Sequence, residues 1–111
     1  MAEEVRRHGS VIRLAPGAAD EYERIHRSVW PAVLEQIRHS HIRNYSIYRY
    51  GDLLFSYFEY VGSDYEGDMS AMAADPETQQ WWAVTEPLQQ PVDERSDGTW
   101  WHELPEVFHA D

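Results

Sequence analysis

The sequence predicts an α+β protein with the element order β-α-β-β-α-β, and three observations support this order. Runs rich in β-branched and aromatic residues indicate four strands, at residues 8–14, 42–50, 53–61 and 100–109. Apolar residues at helical spacing indicate two helical regions, at residues 18–38 and 65–88. Turns containing glycine or proline separate these segments. We therefore expect the ferredoxin-like arrangement, a four-stranded antiparallel sheet with its helices on one face.

The short first strand ends at Pro16-Gly17, and the helical region after it carries the residues around which we expect a site. At helical spacing, Tyr22 and His26 share a face with apolar residues, while charged residues occupy the other face. Pro31 predicts a kink or a break just after the His26 turn, because proline removes a backbone donor. The phenol and the imidazole need partners or a cavity, since an unpaired buried polar group costs about 1–3 kcal/mol. A satisfied core histidine is the alternative.

The two middle strands predict a hairpin, with Gly51-Asp52 as its tight turn. Tyr45 and Ile47 lie two residues apart and therefore share one face of the strand, while Asn44, Ser46, Tyr48 and Tyr50 share the other.

The second helical region is predicted as two helices, residues 65–74 and a helix that begins with Asp75 as N-cap and Pro76 at its first position. Trp81 and Trp82 diverge by about 100° on that helix, so at least one of them faces a cavity, a partner subunit or water. Residues 91–98 are predicted as a surface loop, and Trp100 to His109 as the last strand, with Pro105 at an edge or bulge.

The composition limits the classes of partner. At 111 residues we expect a single domain spanning 1–111. The formal net charge of −11 disfavours nucleic acid and anionic membranes, so we expect neither as a partner. No apolar run approaches the ~20 residues of a membrane span and the start does not resemble a signal peptide, so we expect a cytoplasmic protein.

The sequence lacks the residues that several kinds of catalytic and metal-binding site require. Cysteine and lysine are absent, which excludes a thiolate metal site, a cysteine nucleophile and a lysine Schiff base. His39-Ser40-His41 provides two histidines without a third ligand nearby, and no glycine-rich phosphate-binding turn is present, so we expect no metal and no cofactor.

Aromatic residues make up 14% of the chain, which suits a ring-bearing ligand or an oligomer interface. Apolar positions on both faces of the sheet predict a homodimer with its sheets face to face.

A set of motifs resembles one known family. The motifs are, in order, Glu21-Tyr22-x-x-x-His26-x-x-x-Trp30-Pro31, Asn44-Tyr45-Ser46-Ile47-Tyr48, Leu54-Phe55 with Glu59, Gln80-Trp81-Trp82 and Glu106-Val107-Phe108. Together they resemble the L-rhamnose mutarotase family, small dimeric α/β barrel proteins of the ferredoxin-like kind, from about Ser10 to Phe108. The resemblance implies that His26 is the proton donor and that Tyr22, Tyr45, Trp81 and Trp82 line the sugar site. Glu106 is expected to have at most a supporting role.

The hypothesis is an isomerase that interconverts the α and β anomers of a free monosaccharide, a deoxyhexose such as L-rhamnose. L-fucose or a related sugar is the alternative substrate, and the general base is either the same histidine acting in turn or water. A cofactor-free monooxygenase and a ligand-binding module of the same barrel fold are the alternative functions. The sugar hypothesis expects polar groups around Tyr22 and His26, whereas an oxygenase expects a mostly apolar cavity.

Overall fold

The computed structural model describes residues 4–92 and 99–111, and its element order confirms the predicted α+β class. The helices and strands are β1 (Arg6–Leu14), α1 (Ala19–His26), α2 (Pro31–His39), β2 (Ile42–Tyr50), β3 (Leu53–Tyr60), α3 (Tyr65–Ala74), α4 (Pro76–Thr85), β4 (Gln89–Gln90) and β5 (His102–Leu104), with a 3₁₀ turn at Glu86–Leu88 before β4. No helix in the described ranges has the length and apolar character that crossing a bilayer requires.

The sheet is antiparallel throughout, with β1 inside it. Its order is β2-β3-β1-β4, and β5 also pairs with β1. β4 lies beside Arg13 and Leu14, while β5 lies beside residues 9–11. The fourth position of the predicted sheet is therefore shared by two short strands along one edge of β1. The β2–β3 hairpin is confirmed, and Gly51 in its turn has a φ of 60°, a conformation that favours glycine.

The prediction of a long last strand is wrong in its extent. Only His102–Leu104 is a strand, and the segment from Pro105 to the end has no regular structure. Proline has no N–H to donate and restricts the residue before it, so the ladder stops at that point. The predicted loop at 91–98 falls largely outside the described residues, since 93–98 are not described.

The predicted long first helix is divided in two, as Pro31 indicated. α1 ends at His26, and Trp30 takes extended torsion angles, φ −59° and ψ 135°, before Pro31 begins α2. Proline fits this first position because its missing N–H would have no partner inside the helix. The two later helices begin at side-chain caps, and Asp75 is the predicted one. Asp64 accepts a hydrogen bond from the Gly67 N–H and Asp75 accepts one from the Thr78 N–H.

The core lies between the sheet and the helices. Ile12 and Leu54 face each other across β1 and β3, and Leu14 and Tyr22 complete a buried cluster with them. The helix-facing positions of β1 and β3 therefore pack against α1. This packing fixes the position of Tyr22, whose side chain is 3% exposed.

A β-bulge interrupts β2 and changes which residues face the helices. Arg43 pairs with Glu59 and Ser46 with Tyr57, so Asn44 and Tyr45 together oppose a single residue of β3. Asn44 has a φ of 52°, a left-handed conformation that asparagine tolerates better than most residues. Ile42 before the bulge and Ile47 after it pair with the helix-facing residues Tyr60 and Ser56, although they are five positions apart. The bulge thus places Tyr45 on the same side of the sheet as the helices.

Candidate active site

A hollow of about 810 Å³ opens between the helix-facing side of the sheet and helices α1, α2 and α4. Its lining includes all five residues singled out from the sequence, which are Tyr22, His26, Tyr45, Trp81 and Trp82. The volume lies within the range of small-molecule sites in proteins, roughly 300–1,000 Å³. The fold therefore gathers residues from two helices and one strand around one space.

His26 lies at the end of α1 against the ring of Tyr22. The two rings stack with their centroids 4.1 Å apart, and His26 Nδ1 lies 2.7 Å from the carbonyl oxygen of Tyr22. A carbonyl oxygen can only accept, so Nδ1 carries a hydrogen. In the neutral imidazole, Nε2 therefore holds the lone pair, and the described residues provide no hydrogen-bond partner for that nitrogen.

Burial sets the resting charge of this histidine. Desolvation lowers the pKa of His26 below its usual value of 6.5, and the hydrogen bond to the Tyr22 carbonyl opposes that shift less strongly. The neutral form is therefore favoured at neutral pH. In that form Nε2 is available to take a proton.

The Tyr22 hydroxyl is the second polar group of the site. Burial raises the pKa of Tyr22 to about 12, with the Gln89 hydrogen bond acting in the opposite direction. The hydroxyl accepts a hydrogen bond from Gln89 Nε2 at 3.1 Å. The phenol thus keeps its proton at neutral pH, and this proton is available for a ligand.

Trp81 and Trp82 differ in burial, because adjacent residues on α4 point in different directions. Trp81 is 7% exposed and meets the rings of His26 and Trp30 edge to face, at centroid distances of 5.3 Å and 5.1 Å. Trp82 is half-buried and also lines the hollow. Trp82, the less buried of the two, therefore faces the cavity.

Tyr45 reaches the hollow from the sheet because of the bulge. Its ring lies 5.7 Å from that of Phe58, measured between centroids, and its side chain is 43% exposed. Desolvation raises the pKa of its hydroxyl. Tyr45 is thus a second protonated phenol on the wall of the cavity.

The rest of the lining is part polar and part aliphatic. Glu23 and Arg49 form an ion pair that joins α1 to β2, and both line the hollow. Aliphatic side chains come mainly from α2 and its approach, namely Val29, Val33, Leu34 and Ile37. The Gln89 amide is a polar neighbour of Tyr22, but the lining as a whole is mostly apolar, which an oxygenase expects and the sugar hypothesis does not.

The sequence left two site residues without a role. Gln89 bonds the Tyr22 hydroxyl, and Trp100 Nε1 donates to Gln89 Oε1 at 2.7 Å. Gln89 lies 67 positions from Tyr22, and no spacing rule links a helix residue to a glutamine so far away. Glu106 is elsewhere, in a two-bond pair with Arg7 at 2.7 Å and 2.9 Å, and the hollow's described lining does not include it.

The histidines of the weak metal motif belong to another part of the molecule. His41 Nδ1 lies 2.8 Å from Asp68 Oδ2, and His39 ends α2. Within residues 4–92 and 99–111, no group of three or more His, Cys, Asp or Glu side chains could hold a metal ion.

Comparison with known proteins adds an independent observation. A family model described as L-rhamnose mutarotase matches residues 7–110. An L-rhamnose mutarotase from Oceanobacillus iheyensis is 30% identical over 109 residues, which cover 96% of this chain and 100% of the relative. The crystal structure of an L-rhamnose mutarotase from Formosa agariphila has a TM-score of 0.72 at 20% identity, covering 96% of this chain and 99% of its own. Tetracenomycin F2 cyclase from Streptomyces glaucescens has a TM-score of 0.63 at 16% identity, covering 96% and 99%.

The two structural likenesses show the fold alone, and they confirm the ferredoxin-like α+β class. The family match covers every motif that carried the resemblance, from Glu21 to Phe108, and confirms it. Members of the matched family are carbohydrate isomerases that interconvert anomers. The chain belongs to the L-rhamnose mutarotase family.

Proposed function

We propose that this chain is a mutarotase that interconverts the α and β anomers of free L-rhamnose, without a cofactor. The observation that carries the proposal is the His26 Nε2, which has no hydrogen-bond partner among the described residues and lies in a hollow walled by two phenols and two indoles. An imidazole that titrates near neutrality can both take and give a proton at small cost.

The reaction moves one proton between two oxygens. A base removes the proton of the anomeric hydroxyl, the bond from the anomeric carbon to the ring oxygen breaks, and the ring oxygen receives a proton. The open-chain aldehyde then rotates about its bond to the next carbon. The reverse steps close the ring on the other face of the carbonyl, and no atom or electron is gained or lost.

His26 is the group that we assign to both proton transfers, acting in turn. Its lowered pKa favours the neutral form, so Nε2 first accepts the hydroxyl proton and then donates it to the ring oxygen. Both oxygens are bonded to the same anomeric carbon, so a single nitrogen can reach each of them. In this mechanism His26 is the proton donor, as the family resemblance implied, and it is also the general base.

The other four residues bind and orient the sugar in this proposal. Tyr22 and Tyr45 offer hydroxyl protons to sugar oxygens, while the faces of Trp81 and Trp82 pack against its C–H groups. The aliphatic side chains of α2 suit the methyl group that distinguishes a 6-deoxyhexose from its parent sugar.

Saturation-transfer NMR between the two anomeric protons tests the proposal. We expect the chain to accelerate exchange of L-rhamnose above the rate in buffer, and to act more slowly on L-fucose and other free aldoses. A faster rate on L-fucose would replace L-rhamnose by that sugar. Absence of acceleration on every sugar in the panel would end the proposal.

The mostly apolar lining of the hollow is the observation that favours a different ligand. A cofactor-free monooxygenase or a binding module of this fold would place an apolar or aromatic molecule there. Thermal-shift measurements separate these functions, because a ligand that binds only the folded state raises the melting temperature. Stabilisation by deoxy sugars and none by aromatic compounds is the result expected for the mutarotase.

The proposal includes a homodimer in the cytoplasm. Tyr48 and Tyr50 on the face of the sheet away from the helices are 67% and 78% exposed, and Val107 and Phe108 are 93% and 81% exposed. A second copy packed on this face would bury the two tyrosine side chains. Light scattering after size-exclusion chromatography should give twice the protomer mass of 13.1 kDa, and cell fractionation tests the location.

A further inference from the structure

We infer that Gln89 is a positioning residue for the Tyr22 hydroxyl and that Trp100 holds Gln89 in place. Gln89 Nε2 donates to the Tyr22 hydroxyl at 3.1 Å, and Trp100 Nε1 donates to Gln89 Oε1 at 2.7 Å. All three side chains line the hollow. The catalytic consequence of this relay rests on the proposed function, because it concerns how Tyr22 meets the sugar.

The chemistry of the indole fixes the orientation of the Gln89 amide. An indole N–H can only donate, so the group that faces Trp100 must be the amide oxygen. The amide nitrogen is then directed at Tyr22, where it can only donate. The phenol oxygen is therefore the acceptor, and its own hydrogen is left to point elsewhere.

The backbone brings these residues together from three separate segments. Gln89 pairs with Leu14 across β1 and β4, so both side chains lie on the helix-facing side of the sheet. Leu14 is 2% exposed and belongs to the buried cluster that holds Tyr22. The two-residue strand β4 thus places the glutamine beneath α1, and Trp100, which is 42% exposed, closes the relay from the hollow's rim.

The relay restricts the torsion of the phenol hydroxyl. With one lone pair occupied by Gln89, the hydroxyl hydrogen is available to a sugar oxygen in the hollow. Without Gln89 the hydroxyl can rotate and accept a hydrogen bond from the sugar instead of donating one. We expect the loss to fall on kcat, where orientation matters, with little change in KM.

The first test compares Gln89→Leu with Gln90→Leu. The neighbouring Gln90 is exposed and does not line the hollow, which makes it the matched control. From anomer exchange at several L-rhamnose concentrations, we expect Gln89→Leu to lower kcat roughly tenfold and Gln90→Leu to leave it unchanged. A wild-type kcat in Gln89→Leu would overturn the inference.

A second variant, Gln89→Glu, reverses the direction of the hydrogen bond. The introduced carboxylate can only accept at neutral pH, so it takes the Tyr22 proton that the sugar needs. We expect a larger loss than in Gln89→Leu, and the ratio of the two activities should recover as the pH falls and the carboxyl group is protonated. The new carboxylate also acts on the nearby His26, so the pH profile of each variant is fitted with its own His26 pKa before the ratio is taken. A ratio that does not vary with pH would contradict the inference.

Trp100→Phe tests the last link, because phenylalanine keeps a ring but has no N–H. If Trp100 acts through Gln89, this change lowers kcat in the wild-type background and has no further effect when combined with Gln89→Leu. Additive losses would mean that Trp100 acts on the sugar by itself, which would overturn the assignment of its role.

The relay can also be measured without activity. In protein labelled with ¹³C at the tyrosine ring carbon that bears the hydroxyl, the Tyr22 signal, assigned by its loss in Tyr22→Phe, should shift in both Gln89→Leu and Trp100→Phe. A signal that moves in neither variant shows that the relay does not form. A shift in both variants together with no exchange on any sugar would support the relay and reject the proposed function.

Discussion

The imidazole of His26 is held by the residue one helical turn before it in two ways at once. Its ring stacks on the Tyr22 ring at 4.1 Å, and its Nδ1 lies 2.7 Å from the Tyr22 carbonyl oxygen. A carbonyl oxygen has two lone pairs, so the Tyr22 carbonyl can accept from the His26 ring in addition to a backbone N–H of the helix. This hydrogen bond selects the neutral tautomer with its hydrogen on Nδ1, which leaves the lone pair on Nε2.

Replacement of His26 by alanine should abolish catalysis without unfolding the chain. A positioned acid–base group contributes about 10²–10⁴-fold to a rate, so we expect anomer exchange to fall to the solvent rate. Saturation-transfer NMR measures the exchange, and circular dichroism checks the fold. His39→Ala is the control, since that histidine is exposed at the C-terminal end of α2 and does not line the hollow. Exchange at the wild-type rate in His26→Ala would remove this residue from the mechanism.

The pH dependence distinguishes a resting base from a resting acid. Because the pKa of His26 lies below 6.5, Nε2 is unprotonated at neutral pH and gains a proton as the pH falls through that pKa. We expect kcat/KM to be constant above neutrality and to decrease on acidification, after subtraction of the rate of His26→Ala. A rate that instead rises on acidification would mean that the imidazolium acts first, as an acid.

We expect Trp81→Ala to affect mainly the stability of the fold and Trp82→Ala to affect mainly sugar binding. Trp81→Ala removes a buried ring that contacts His26 and Trp30, and we expect it to lower the free energy of unfolding by about 3–5 kcal/mol. Trp82→Ala removes a half-buried ring, so we expect about 1 kcal/mol and a raised KM. Urea denaturation and exchange kinetics measure the two effects. Equal losses of stability would contradict this division.

Asn44 should matter mainly through its backbone, because its side-chain bond, from Nδ2 to the exposed Glu59 carboxylate at 2.8 Å, is lost in both variants compared below. A β-branched residue at its φ of 52° is strained, so Asn44→Val should cost about 1–2 kcal/mol and displace the neighbouring Tyr45. Asn44→Gly fits the same torsion angles and should keep most of the activity. Comparison of urea midpoints and exchange rates for the two variants tests this. An inactive glycine variant with a valine variant of normal activity would reverse the explanation.

The sequence by itself determined the helix ends, the helix caps and the hairpin turn. Pro31 ended one helix and began the next, Asp64 and Asp75 capped their helices, and Gly51 made the hairpin turn, because each effect depends on residues within a few positions. Periodicity and the family motifs also identified the five residues that line the hollow. The four-residue spacing of Tyr22 and His26 by itself places them on one helix face.

Only the tertiary structure decided the features that depend on pairing between distant segments. The bulge opposite β3 turned Tyr45 toward the helices, although strict alternation from Ile42 would have placed it on the other side. The last strand shrank to His102–Leu104, and a second short strand beside Leu14 brought Gln89 to Tyr22. Strand register and side-chain partners across 67 residues are set by packing of the whole sheet, and no local pattern in the chain encodes them.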